Sequence, residues 1–580
     1  MTPMTVERPV ETGSRQYTQD WRPQMLTGAA VLCWLVGFRE IDPTTLGSLG
    51  LVPALSPLLL VAYPLLVAAF TVELLKNRRT AVLTLITVVA IFAVYGLQPA
   101  AEPAARLPVA WLHSGFANYI GAHGDVLHNF DTRFSWPGFF ALLAFLTEAS
   151  GLHDTSVLLN WAPVLLSGLA VLGVRAIAVA IVGPGRASWI AAWIFLVANW
   201  TEQDYASPQG TTYILLLAAL AITFQHLVSP SPLAVSRADI QRPPAPDNSA
   251  GDRLRAEGLV VLLAMALAPT HQLTPYMLGG LLIVLVLWGR LWPRWLPVVV
   301  LALAVGWFVL AAREFWIGQL SVITGSIGDL NSSVSQGIGQ RFVGNAGRQA
   351  ILLTRIGIMG GAALLAAVGF LVLRRRGSKS LVLPALALAS FGLAVLQPYG
   401  GEIFIRCYLF ALPFFAVLGG IALDALTKRS YLTAIALGLS ILATVAVRGG
   451  NDAYVAFTRA DVDVVQKAYD LARDGQSIGT VVSYAPLEWQ RVGDVRQVSA
   501  EDGCTVFPNG ESCVLKAKLD FLVINHAQDA YGTVYFGAPP GWTGALADRL
   551  IADGYYERVA SEGDSQLLQR SVIERGKGNR

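Results

Sequence analysis

Residues 76–95 read KNRRTAVLTLITVVAIFAVY, and their reading decides the fold. Lys76, Arg78 and Arg79 crowd the start, and no charge follows from Ala81 to Tyr95. With its uncharged flanks the run approaches the ~20 apolar residues that a helix needs to cross a bilayer. The same alternation recurs along the chain. Leu58–Phe70, Leu281–Trp288, Leu296–Ala312 and Ala362–Leu373 are apolar runs of this kind. The gaps hold Arg290 and Arg294, then Arg374, Arg375, Arg376 and Lys379, then Lys428 and Arg429. Basic residues in short loops mark the cytoplasmic side.

Composition agrees. The chain has 580 residues, is 54% hydrophobic and only 14% charged, and has a mean hydropathy of +0.53. A water-soluble domain cannot hide that much apolar surface, so a polytopic α-helical membrane protein is expected. About thirteen spans are predicted, near 23–38, 52–72, 81–97, 156–182, 187–199, 211–228, 257–269, 274–289, 295–312, 350–373, 380–397, 406–425 and 430–446. Residues 1–22 form a cytoplasmic tail with no cleavable signal, and the Pro-rich stretch 229–256 a cytoplasmic linker. Phe139–Leu146 is too short to span and is read as a helix at the outer interface. After Val447 the composition turns polar and mixed, which predicts a small α/β or α+β domain over 448–580 on the outer side. A helix is expected at Asp461–Arg473 and another at Leu546–Ala552, with strands at Ile478–Tyr484, Phe521–Asn525 and Gln566–Leu568. The protein is thus expected in the cell membrane, its N-terminus inside and its C-terminal domain outside.

A net charge of +3, explained by membrane borders, argues against nucleic acid as a partner. There is no P-loop, HExxH, GxSxG, paired CxxC or strand-linked GxGxxG. Cys33 and Cys407 belong to apolar runs, whereas Cys504 and Cys513 share a polar, turn-rich stretch where an oxidising compartment would allow a disulfide.

With the sides assigned, the polar residues outside the apolar runs collect on the outer face. The long loop 98–155 carries His113, His123, Asp125, His128, Asp131 and Arg133 among aromatics. Acids beside a membrane, interleaved with aromatics, suit a site that grips a polar substrate and abstracts a proton. A second outer loop holds Glu202, Asp204 and Tyr205, and a third holds His271 and Gln272. Arg341, Arg348 and Arg355 recur every seven residues at the mouth of a span, and Arg406 follows Glu402 at another outer border. Outer arginines oppose the positive-inside bias, and a guanidinium fork matches phosphate oxygens. Snorkelling to lipid headgroups is the competing explanation. The loop histidines and aspartates could hold a divalent ion, though no spacing demands one. No other cofactor is implied.

In layout, residues 81–447 resemble the GT-C superfamily of membrane glycosyltransferases, which includes protein O-mannosyltransferases, oligosaccharyltransferases and the lipid A aminoarabinose transferase. The likeness rests on a span followed by a long first outer loop, with an interfacial helix introduced by Trp136-Pro137-Gly-Phe-Phe and closed by Gly151-Leu152. A span pair with Glu202 and Asp204 between its members comes next, and an outer domain last. The resemblance implies transfer of a sugar from a polyprenyl-phosphate carrier to a glycan, lipid or protein acceptor, with an acid of the first loop as base. Where the family has an acidic pair this chain has His113-Ser114. The base role then falls to Asp131, preferred because it neighbours Arg133 and the interfacial helix, or to Asp125 or His113. A polymerase or ligase using a lipid-pyrophosphate-linked glycan is the alternative enzyme. A lipid or solute transporter is the alternative class, but mid-membrane charges and related halves are not evident.

Overall fold

The structure, a computed structural model, describes residues 20–42, 46–102, 104–152, 155–229, 248–317, 342–395, 402–426 and 430–571, with Leu233 and Pro246 as isolated positions. Among them, six helices are long and apolar enough to cross a membrane. They include Leu158–Val182, Ala346–Arg375 and Ile403–Ala425, and six shorter apolar helices join them. Each of the thirteen predicted runs is largely helical where described. Ile403–Ala425 is the central helix, with nearly every residue from Tyr408 to Leu423 buried. Two glycine contacts let its neighbours in. A Cβ at Gly369 would lie 1.9 Å from the Leu418 carbonyl oxygen, and one at Gly420 2.4 Å from that of Ala187. Without a hydrophobic drive between helices in lipid, such close backbone contact is what holds a bundle together.

The long loop 98–155 carries two helices, Pro108–His123 and Gly138–Ala149. Pro108 fits the first helical position, where its missing N–H costs nothing. The second helix is only 12 residues long and covers the predicted interfacial run.

The last apolar helix, Ser430–Arg448, passes through short turns into the polar helix Arg459–Leu471. A five-stranded sheet follows, formed by β1 (Ser477–Thr480), β2 (Arg496–Ser499), β3 (Phe521–Ile524), β4 (Tyr556–Glu562) and β5 (Ser565–Arg570). Its order is β2-β1-β3-β5-β4. The first three strands are parallel, with Ser477 opposite Arg496 and Ile478 opposite Phe521. β5 runs antiparallel to both β3 and β4. β1 and β3 are buried along their whole length, as inner parallel strands must be. The expected strands at 478–484, 521–525 and 566–568 are present in shifted form; β2, β4 and the helices Val506–Ala517 and His526–Phe536 were not anticipated. Cys504 and Cys513 form a disulfide, with Cα atoms 5.8 Å apart.

The loop and the sheet region are packed together. Trp111 meets Trp489 edge to face at 5.7 Å, and Asn118 Nδ2 donates to the Trp489 carbonyl at 3.0 Å. At Gly115 a Cβ would fall 1.8 Å from the Glu488 carbonyl oxygen, so a larger residue would push the two apart.

Candidate active site

The ends of the helices nearest the sheet region converge on a buried group of charges. Glu202 lies between two guanidiniums, 3.6 Å from Arg106 and 3.6 Å from Arg355. Its φ of +55 is a left-handed conformation that a non-glycine residue adopts at a cost of about 1 kcal/mol or more. Glu202 Oε1 is buried and makes no hydrogen bond among the described residues. Arg355 also donates to the Val447 carbonyl at 2.7 Å, and its guanidinium lies over the Trp200 ring at 5.3 Å. Arg106 pairs with the carboxylate of Asp452 and stands 3.4 Å from Glu102. Asp204 accepts from Ser167 at 2.5 Å and from Arg448 at 3.3 Å, its other oxygen 3.1 Å from the same guanidinium. Arg448 in turn lies over Tyr95 at 4.5 Å. A small cavity of ≈ 20 Å³, about the room of one water, opens among Gln98, Arg106, Glu202, Asp204 and Tyr205.

Burial and the nearby negative charge of Asp452 raise the Glu102 carboxyl well above its ordinary range, against the pull of Arg106. The other three carboxylates, Glu202, Asp204 and Asp452, face Arg355, Arg448 and Arg106. Buried charges survive only when paired in this way.

Arg406 anchors a second group. It is 8% exposed, donates to Gln209 Oε1 at 2.7 Å and to Glu402 at 3.0 Å, and lies 3.4 Å from His271 Nε2. His271 Nδ1 accepts from the Leu273 and Thr274 backbone N–H groups at 3.3 Å, with the Thr274 hydroxyl 2.9 Å away. An Nδ1 that accepts is unprotonated, and burial with the Arg406 charge holds this imidazole's pKa well below the usual value. Gln272 adjoins it, half-buried in the same turn.

The first-loop residues form a third group. Asp131 caps the turn Thr132–Ser135 and holds Arg133 in a two-pronged ion pair of 2.9 and 2.7 Å. Burial alone would raise the Asp131 carboxyl, but the Arg133 hydrogen bonds outweigh it and leave the carboxyl below its ordinary value. His113 is 4% exposed and stacks on Tyr205 at 5.8 Å. Its Nδ1 lies 3.1 Å from the Ala206 carbonyl, which can only accept, so that nitrogen carries the proton. Burial pushes its pKa down to about 4.

Several sequence-based placements change. Arg348 and Arg355 do not form one phosphate-facing row. Arg348 stands over the Tyr535 ring at 4.4 Å and donates to the Val343 carbonyl, while Arg355 turns into the interior. Arg341 lies outside the described residues. Arg355 and Arg406 are buried and paired, which removes lipid snorkelling as their explanation. Asp125 is exposed and accepts from the Val126 backbone N–H. The loop histidines scatter, His123 onto Tyr119 and His128 onto Glu314. Among the described residues no three His, Cys, Asp or Glu side chains assemble as a metal site. Arg448, Asp452 and Gln209 were missed, and Glu102 and Arg106 were given no role. Glu102 is the first acid beyond a span and Arg448 the first residue beyond the last apolar run, which is the signal that could have found them.

The chain is similar in fold to ArnT from Cupriavidus metallidurans, solved with undecaprenyl phosphate: TM-score 0.50 and 14% identity, over 85% of this chain and 98% of that one. The apo oligosaccharyltransferase of Archaeoglobus fulgidus gives a TM-score of 0.48 at 12% identity, covering 84% of this chain and 73% of its own. No protein-family model matches the sequence, and no curated protein matches it in sequence.

Proposed function

We propose that this protein is a membrane glycosyltransferase that moves a sugar from a polyprenyl-phosphate donor to an acceptor hydroxyl at the outer face. The observation that carries the reading is Glu202 between Arg106 and Arg355, a carboxylate oxygen with no hydrogen bond beside guanidiniums that can receive a phosphate. The fold of ArnT, solved with undecaprenyl phosphate, supports the donor class.

In the proposed reaction Glu202 takes the acceptor's hydroxyl proton as the acceptor oxygen bonds to the anomeric carbon. The bond from that carbon to the carrier phosphate breaks on the opposite face, so the configuration inverts. Arg355, with Arg106 across Glu202 from it, stabilises the charge gathering on the departing phosphate. Arg406, between Gln209 and Glu402, orients the donor. Asp131 is the second candidate base, because it lies beside Arg133 and faces the His113 region; its two bonds to Arg133 leave it less free to accept a proton. In this reading the sheet region within 448–580 and the loop 98–155 lie outside the membrane, over the transmembrane part 23–447.

The test is transfer of radiolabelled sugar from a polyprenyl-phosphate carrier by the purified protein in nanodiscs. Label must leave the lipid fraction with wild type, and fail to do so with Arg355→Ala. Transport of intact labelled lipid across vesicles with no transfer would put the protein in the other class.

A further inference from the structure

A second cavity, of ≈ 290 Å³, lies between the helix Pro108–His123 and the sheet region. It opens at the carboxyl ends of β1 and β2, beside Thr480 and Ser499. From β1 the chain passes to β2 on one side, then returns to β3 on the other. Such a switch point leaves a crevice outside the strand ends, the usual ligand position in parallel sheets. The volume is close to the ~300 Å³ at which ligand pockets begin.

The lining is of two kinds. Leu112 on the loop side is apolar. Opposite it stand hydroxyls and carboxylates. Thr480 is 1% exposed, and its hydroxyl has no hydrogen-bond partner among the described residues. Ser483 adds an exposed hydroxyl, and Ser499 is held only loosely, at 3.4 and 3.5 Å. Glu488 is set in place by its backbone: φ is +67, and its N–H donates to Tyr469 Oη at 2.8 Å and Gln497 Oε1 at 2.6 Å. Its carboxylate makes no hydrogen bond among the described residues, and burial raises its pKa despite the nearby Arg133. Arg133 is already committed to Asp131, so the cleft carries excess negative charge. That disfavours a phosphate, and so the donor's headgroup.

We propose that this cleft binds a neutral saccharide, the acceptor of the transfer reaction on which the proposal rests. Thr480 and Ser499 meet sugar hydroxyls, the Glu488 carboxylate accepts from a vicinal pair of them, and Leu112 covers a C–H face.

The full-length protein in nanodiscs is screened against an array of neutral oligosaccharides, phosphorylated oligosaccharides and peptides. Binding to neutral oligosaccharides is expected, weakened at least tenfold by Glu488→Gln and by the near-isosteric Thr480→Val. Undecaprenyl phosphate should bind both variants as it binds wild type, which also shows that they are folded. No binding by wild type, binding confined to phosphorylated sugars or peptides, or affinity unmoved in both variants overturns the proposal. Saccharide binding without any sugar transfer would sink the transferase reading and leave the cleft standing.

Discussion

Glu202→Gln is the sharpest perturbation of the proposed mechanism. The amide keeps the size of the side chain and removes its charge and its basicity. Loss of a general base costs roughly 10²–10⁴-fold in rate, or about 3–5 kcal/mol at ~1.4 kcal/mol per tenfold. The folding cost falls on Arg355: Arg106 keeps Asp452, but Arg355 is left with the Val447 carbonyl and no carboxylate among the described residues, which can cost about 3–5 kcal/mol, so stability is read beside transfer. The two Glu202 contacts are 3.6 Å long and are not hydrogen bonds. Donor binding should hold or tighten, because an incoming phosphate no longer competes with the carboxylate for Arg355. The assay pairs single-turnover transfer with donor affinity and thermal unfolding in one nanodisc preparation. A stable variant that transfers within tenfold of wild type refutes the assignment of the base. A variant that transfers poorly because it no longer binds donor refutes it too, since the role would then be binding.

The remaining expectations concern other parts of the molecule. Arg406→Lys keeps the charge but cannot reach both Gln209 and Glu402, so donor KM should rise at least tenfold with thermal stability nearly intact; an unchanged KM would return Arg406 to a structural role. His113 has a folded pKa of about 4 against 6.5 when unfolded, so acid favours the unfolded chain. Its share of stability is full above pH 6.5, falls through the window from 6.5 to 4, and amounts to about 2 kcal/mol lost by pH 5. The His113→Gln variant should show a flatter stability profile over that window, and an unaltered slope would mean the imidazole titrates normally. Replacing Cys504 and Cys513 by serine opens a loop with sequence separation 9 and should cost about 2–3 kcal/mol in unfolding of the sheet region; alkylation that labels both thiols of native protein without reductant would show that no bridge forms. A reporter active only outside the cytoplasm should work when fused after Arg580, and activity of a cytoplasm-only reporter there would invert the proposed sidedness.

The helices were legible because each apolar run carries its own signal, hydropathy bounded by charge. The inner strands β1 and β3 were legible for the same reason. β2 and β4 were not, since Arg-Gln-Val-Ser and Tyr-Glu-Arg-Val-Ala-Ser-Glu are edge strands whose polar faces look like loop. The site divides along the same line. Glu202, Asp204, Arg355 and Arg406 stood out as charges at the outer border that topology did not explain. What they pair with was invisible: Arg106 and Asp452 are 346 positions apart, and Asp204 and Arg448 are 244 apart. Local periodicity carries no trace of such contacts. It also misled, since the seven-residue spacing of Arg348 and Arg355 reads as one row, while one guanidinium lies on Tyr535 and the other beside Glu202. The anomaly itself was the dependable signal. An arginine that is 8% exposed cannot be serving lipid headgroups, and an interior arginine without a carboxylate would be prohibitively costly. Each such arginine therefore predicts a buried acid, and three arginines facing three carboxylates is where that reasoning ends. A donor phosphate entering so balanced a group must displace one carboxylate from its arginine. Glu202, held by the longest contacts, is the one it would release, and a released carboxylate beside a bound phosphate is a base made ready by the substrate itself.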